Sequence, residues 1–296
     1  MSKKAFKVAR HSIYNFVKYN VRGKSFSTVS SIRERMISSM KYLHSLGYPV
    51  RNINNIQKKH IDALVKSWQS RELSIGTIKN RMADFRTFAK ATGKDYLIKQ
   101  NNKDYDIPNR SYVPTENRAI TEIDLSQFKD ENLKASIWLQ KEFGLRREEC
   151  LKIIPSKALY TDLDGKKSLI LDSLWTKGGV GRKITIRNES QFHSIENAKV
   201  VAEGKSLIPH DKSYIQQRRF YDKVTREQGY YNLHGLRHAY AQTRYKEITG
   251  WECPLKGGLA KKDFTDSQKK LDYNARLCIS QELGHSRSAI TKNYIG

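Results

Sequence analysis

Between residues 94 and 118 the chain loses the apolar periodicity of the stretch before it. It gathers polar residues and prolines instead: Asn101, Asn102, Asp104, Asp106, Pro108, Asn109 and Pro114. A long segment with no face to bury is uncommon inside one compact domain, so it divides what can fold on either side. The expectation is a helical unit over 1–100, a linker over 101–118 and a second unit over 119–296. A chain of 296 residues is long enough to supply both with a core.

The first unit reads as short amphipathic helices. Ser27 or Thr28 can cap a helix in which Ile32, Met36, Met40 and Leu43 recur on one face, until Gly47 and Pro49 stop it. Ile61, Leu64, Val65 and Trp68 form a second such face. Ile78, Met82, Phe85 and Ala89 form a third, starting near Ser74 and ending before Gly93. Three or four helices of this kind can bury one small core between them. Their other faces carry Lys58, Lys59, Lys66, Lys79, Arg81, Arg86 and Lys90. Of the tyrosines, Tyr14, Tyr19, Tyr42, Tyr230 and Tyr231 read as packing residues.

In the second unit Thr121 to Asp124 offers a helix start, and Leu133, Ile137 and Trp138 suggest a buried helix before a turn at Gly144. Residues 167–172 and 183–187 alternate as strands of a small antiparallel sheet, with Gly178, Gly179 and Gly181 in the turn nearby. From Ser190 the pattern is helical again, except for a Gly-rich stretch from Trp251 to Lys262 that contains Pro254. The fold class is therefore mainly α with a small antiparallel β-sheet.

Charge narrows the function. The net charge is +25, and residues 1–110 hold 23 Lys and Arg against 7 Asp and Glu. Such an excess attracts a polyanion, and nucleic acid is the expected one, with binding that weakens as salt rises. Charge does not separate DNA from RNA, or an enzyme from a packaging protein. No apolar run approaches the roughly 18–20 residues of a membrane span, and the N-terminus lacks an apolar signal core. Cys150, Cys253 and Cys278 lie far apart, which argues against a disulfide framework or a zinc site and fits a reducing cytoplasm.

Three short motifs carry chemistry. They are Gly144-Leu145-Arg146-Arg147-Glu148-Glu149, then His234-Gly235-Leu236-Arg237-His238, then Leu283-Gly284-His285 with Tyr294 nine positions after the histidine. Breaking a phosphodiester without metal or nucleotide cofactor takes a nucleophile, cations on the non-bridging oxygens and an acid for the departing oxygen. Guanidinium groups suit the second task because a planar donor fork can grip two phosphate oxygens at any working pH. At i, i+3 on a helix, His234 and Arg237 leave from one face and can meet the same phosphate.

In this order the motifs resemble the signature of the tyrosine recombinase (phage integrase) family. The resemblance implies a helical core-binding domain plus a mixed α/β catalytic domain closing around duplex DNA. It makes Tyr294 the nucleophile, forming a 3′-phosphotyrosyl link that a DNA 5′-hydroxyl later attacks, so that rejoining needs no ATP. Arg146 and Arg237 would clamp the phosphate, with Arg147 a near competitor for the first place. His234 would exchange a proton with the nucleophile or hydrogen-bond the phosphate, and His285, opening the last helix, would contact it. Glu149 and His238 would support them. The general acid would be a lysine on the hairpin between the two strands, Lys177, with Lys183 the alternative. Lys79, Arg81, Arg86 and Lys183 are candidate DNA contacts.

The implied partners are double-stranded DNA with specific core sites and a homo-tetramer on synapsed DNA, with possible accessory bending or directionality factors. No metal, cofactor or membrane is expected, and integration or excision of a mobile element is the expected setting. A type IB topoisomerase and a non-catalytic basic DNA-binding protein are the rival readings. Two departures stand out. Only Ile295 and Gly296 follow Tyr294, where many relatives have a helix that docks on the neighbouring protomer. Arg237 and His285 are 48 positions apart, about twice the family interval, with the extra residues around 251–268. That insertion is expected either to take over protomer or DNA contact or to be a tolerated surface loop.

Overall fold

Four helices with apolar stripes build the first unit: α1 (Lys3–Asn20), α2 (Phe26–Ser45), α3 (Lys58–Ser70) and α4 (Ile75–Ala91). The computed structural model describes residues 3–296. Helix α2 starts earlier than expected, because Ser25 rather than Ser27 or Thr28 accepts a bond from the Thr28 amide at 3.3 Å. Ser74 caps α4 in the same way. Between the helices lie Ile13, Met36, Met40, Leu43, Leu64, Trp68, Met82 and Phe85, all buried. Phe16 and Phe88 meet edge-on at 5.1 Å, and the Arg35 guanidinium grips Asp84 with two bonds of 2.6 and 2.9 Å.

The patternless stretch is not free along its whole length. Tyr105 and Ile107 lie in the first core, and the Tyr105 carbonyl accepts from Gln69 Nε2 at 2.9 Å. The chain accordingly separates into Met1–Ser111 and Tyr112–Gly296.

Two residues of the expected basic face differ. Arg81 is only 9% exposed, its guanidinium over the Trp68 and Tyr42 rings at 5.2 Å from each, so it is a packing residue. Arg86 is half-buried, donating to Asn102 Oδ1 at 2.8 Å, and Lys79 donates to Asn109 Oδ1 at 3.4 Å. Tyr19 and Tyr231, expected to pack, are exposed.

The second unit is laid around α5 (Glu131–Phe143). Its start is Asp130, whose side chain accepts from the Leu133 amide at 2.8 Å; Thr121 to Asp124 leads only into a 3-10 turn at Leu125–Gln127. Gly144 ends it in the left-handed region (φ +59°), and a Cβ there would come within 2.7 Å of the Tyr240 ring. The short helices α6 (Arg147–Lys152) and α7 (Pro155–Ala158) follow. Strands β1 (Leu159–Thr161), β2 (Lys167–Leu171) and β3 (Arg182–Thr185) then form an antiparallel sheet in sequence order. Leu169 pairs with Leu159 on one side and Ile184 on the other, and Leu171 pairs with Arg182. Leu169, Leu171 and Ile184 pack with Leu139, Phe143 and Ile195 under α8 (Glu189–Ala202).

The remaining helices are α9 (Tyr214–Glu227), α10 (Gly235–Thr249), α11 (Asp266–Glu282) and α12 (Lys292–Ile295). Helix α10 packs on α5, α11 and α12. The insertion between α10 and α11 folds onto its own unit. Trp251 and Phe264 rings meet at 5.9 Å, Cys253 is buried, and the turn Pro254–Lys256 packs against α12. Among the described residues no helix is long and apolar enough to cross a membrane.

Candidate active site

The site forms where α5, α10 and α11 end or begin. Arg146 is the N-cap of α6, just past the Gly144 turn, and Glu149 stands three residues on. Its carboxylate accepts from the Arg146 amide at 2.8 Å and from the Arg146 guanidinium at 2.6 Å. The first motif is thus a local capping arrangement that also aims an arginine.

Glu149 is fully buried, and three guanidinium groups make that possible. Arg182, at the start of β3, binds it through both Nη atoms at 3.1 and 2.7 Å. Arg237 Nη1 lies 4.0 Å away. Burial pushes the carboxyl pKa up, but the Arg182 bonds and the charges of Arg182, Arg146 and Arg237 outweigh it and hold the value at about 2.

Arg237, in the first turn of α10, has no exposed surface. Burial lowers its pKa to about 10, so it stays charged at neutral pH. Carbonyls at two helix C-termini hold it: Nη1 donates to Gly144 O at 2.6 Å, and Nη2 donates to Leu283 O. The negative ends of α5 and α11 therefore converge on one cation.

Tyr294 lies against this arginine. Its hydroxyl accepts from Arg237 Nε at 3.3 Å and is 3.2 Å from His285 Nε2. The residue is 6% exposed, and its carbonyl accepts from Gln242 Nε2 of α10 at 3.0 Å. His285 does not open a helix; it stands in the turn after α11, where the left-handed Gly284 (φ +66°) reverses the chain. Burial, then the charges of Arg237, Arg146 and Arg182, lowers its pKa to about 4, so the ring is neutral near pH 7.

His234 caps α10 and faces open space. Its ring is 6.2 Å from the Tyr294 ring and 5.6 Å from that of His238. Its pKa is lowered, by burial on its packed side and by Arg237. His238 packs nearer the tyrosine, ring centres 4.8 Å apart, and burial lowers its pKa to about 4. Its buried Nδ1 has no hydrogen-bond partner among the described residues.

The exposed Lys177 sits on the β2–β3 hairpin beside left-handed Gly178 and Gly179. It lines a cleft of about 440 Å³ together with Arg146, His234, Tyr231 and Arg218. Lys183 points the other way: its ammonium lies 5.2 Å from the centre of the Tyr160 ring on the outer face of the sheet. Arg147 is engaged with Asp222 and stacks near Tyr221. The structure thus brings Arg146, Glu149, Arg237, His238, His285 and Tyr294 into one cluster, with His234 and Lys177 on the adjoining cleft.

Sequence reasoning missed Arg182. Strand alternation carried the signal: it shares parity with the buried Ile184, so it faces inward while Lys183 faces out.

A helical unit followed by this helix-and-hairpin unit is the architecture of a tyrosine recombinase. Two family models match the chain, "Phage integrase, N-terminal" over residues 16–98 and "Integrase" over 109–243. The chain belongs to the phage integrase family, and it is a site-specific DNA recombinase. Arg146, Lys177, His234 and Arg237 lie within the second match, whereas His285 and Tyr294 lie beyond its end.

Solved structures agree in fold. A lambda integrase dimer bound to a COC′ core site superposes with a TM-score of 0.58 at 14% identity, covering 97% of this chain and 76% of that one. Tn1549 transposon integrase with circular intermediate DNA gives 0.52 at 14%, covering 98% and 95%. XerH recombinase bound to difH gives 0.50 at 12%, covering 99% and 92%. No curated protein sequence matches closely enough to count as a relative.

Proposed function

We propose that Tyr294 cleaves one strand of a specific DNA core site and holds its 3′ end as a phosphotyrosine. The tyrosine Oη attacks phosphorus, and the bond from phosphorus to the 5′-oxygen breaks. The phenol proton passes to neutral His285, whose Nε2 is 3.2 Å away. The departing 5′-oxygen takes a proton from Lys177 on the hairpin. Arg146 and Arg237 stabilise the charge on the non-bridging oxygens, and His234 adds a hydrogen bond from the cleft side. Attack by a 5′-hydroxyl from the second duplex reverses these steps.

The observation that carries this reading is the meeting, within one chain, of the Tyr294 hydroxyl, a buried guanidinium and a neutral imidazole within 3.3 Å. The basic first unit, with Lys79 and the exposed Lys58, Lys59, Lys66 and Lys90, supplies duplex binding. Four copies act on two synapsed sites, and the setting is integration or excision of a mobile element. That a lambda integrase tetramer on a Holliday junction shares this fold supports such an assembly (TM-score 0.53, 14% identity, covering 94% of this chain and 77% of that one).

The test uses nicked duplexes carrying the ends of the protein's own element. A covalent adduct forms with the wild type and is lost in Tyr294→Phe while DNA binding persists. An adduct that survives in that variant overturns the assignment.

A further inference from the structure

Arg182 is an arginine of the site whose donors are turned away from the cleft. Its side chain is 5% exposed, and each of its three nitrogens is engaged: Nη1 and Nη2 with Glu149, Nε with the Glu282 carbonyl at 2.7 Å. The Leu283-Gly284-His285 turn is shaped around it, because a Cβ on Gly284 would stand 2.9 Å from Arg182 Nη1. One side chain therefore joins three pieces of the site: the foot of the Lys177 hairpin, the acid beside Arg146, and the turn that carries His285.

Charge shows what this joint does. Arg146, Arg182 and Arg237 surround a single carboxylate, so the cluster keeps a net charge of +2 for an incoming phosphate. Glu149 already accepts from Arg146 and lies 4.0 Å from Arg237. Without Arg182 the cations left beside it, among the described residues, are the two that the phosphate needs, and it would draw both toward itself.

We propose that Arg182 is a positioning residue for strand cleavage: by saturating Glu149 it leaves the charge of Arg146 and Arg237 to the scissile phosphate. The inference rests on the phosphate-clamp reading above and adds to it a residue that does not touch DNA.

The test compares wild type, Arg182→Met and the double variant Arg182→Met/Glu149→Gln. Nicked duplexes carry either a phosphodiester or a charge-neutral methylphosphonate at the cleavage position. Arg182→Met is expected to be about 100-fold slower on the phosphodiester but within about threefold of wild type on the methylphosphonate, whose transition state carries less anionic charge. Removing the carboxylate charge as well restores the +2, so the double variant recovers about tenfold over Arg182→Met on the phosphodiester.

Equal loss on both duplexes would mean a merely structural role and would overturn the proposal, as would an unaffected rate. Rescue by a 5′-bridging phosphorothiolate, whose leaving group needs no proton, would transfer the role to Lys177 and also overturn it. If Arg182→Met fails to give a cooperative thermal transition, Arg182→Lys is used. It keeps the charge but loses the two-pronged bond, so its defect must be smaller and still confined to the phosphodiester. No adduct from the wild type on any duplex would overturn the catalytic reading itself.

Discussion

At the scale of single residues, the site is a buried electrostatic cluster, and acid should undo it. Glu149, at about 2 in the fold against an ordinary 4.5, stabilises the native state fully above 4.5 and progressively less as pH falls toward 2. His238 and His285, lowered to about 4, act earlier. The unfolded chain binds their protons below 6.5 while the folded one does not until about 4, so stability drops across that window. Thermal melts from pH 7 to 4.5 should therefore show a falling midpoint. His238→Gln should flatten the slope, and an unchanged slope would contradict the assignment. Glu149→Gln should lower unfolding free energy in urea by about 3 kcal/mol, since it leaves buried arginines without their counter-charge.

The motif residues were legible in sequence because guanidinium, imidazole and phenol at those spacings suit one reaction. Arg182 was not, since its role depends on which strand face meets α6. Arg81 was misplaced for the converse reason: a long cationic stem packs under its own charge, and helical periodicity alone does not say which arginine stacks on Trp68.

At the scale of elements, glycine turns set the angles between helices that hold the cluster. Gly144 combines positive φ with a ring carbon of Tyr240 at 2.7 Å from any added Cβ, and its carbonyl holds Arg237. Gly144→Ala should cost about 2 kcal/mol, read by denaturant melts, and should slow cleavage as Arg237 shifts. A wild-type rate would show that Arg237 keeps its place without the strained glycine turn.

The insertion and α11 together seat the nucleophile's helix: a Cβ on Gly296 would stand 3.0 Å from Pro254 Cβ of the insertion, and Arg276 of α11 donates to the Gly296 carbonyl at 2.8 Å. Helices α2 to α4 were readable from apolar spacing. Helix α1 was passed over although Ala9, Ile13, Phe16 and Val17 form a helical face. Strand β1 is only three residues long and alternates too briefly to be seen. The placement of His285 in a turn follows from Gly284 reversing the chain, which the Leu-Gly-His motif contains but does not by itself specify.

At the scale of the whole molecule, a net charge of +25 makes DNA binding a counter-ion release problem. Affinity for duplex should fall by about a thousandfold between roughly 50 and 200 mM salt if some six phosphates are neutralised. Lys79→Ala should reduce the slope of log affinity against log salt by about one, whereas Arg81→Met should change stability and leave the slope alone. Equal slopes for all three proteins would mean that the duplex is held elsewhere.

The most direct measurement is the identity of the residue that carries the DNA. The covalent complex, trapped on a nicked duplex, is digested with nuclease and trypsin and the nucleotidyl peptide is sequenced by mass spectrometry. The account predicts a nucleotide joined through its 3′-phosphate to Tyr294, in the tryptic peptide that begins at Asn293. A nucleotide on any other residue, or one attached through its 5′-phosphate, would contradict it.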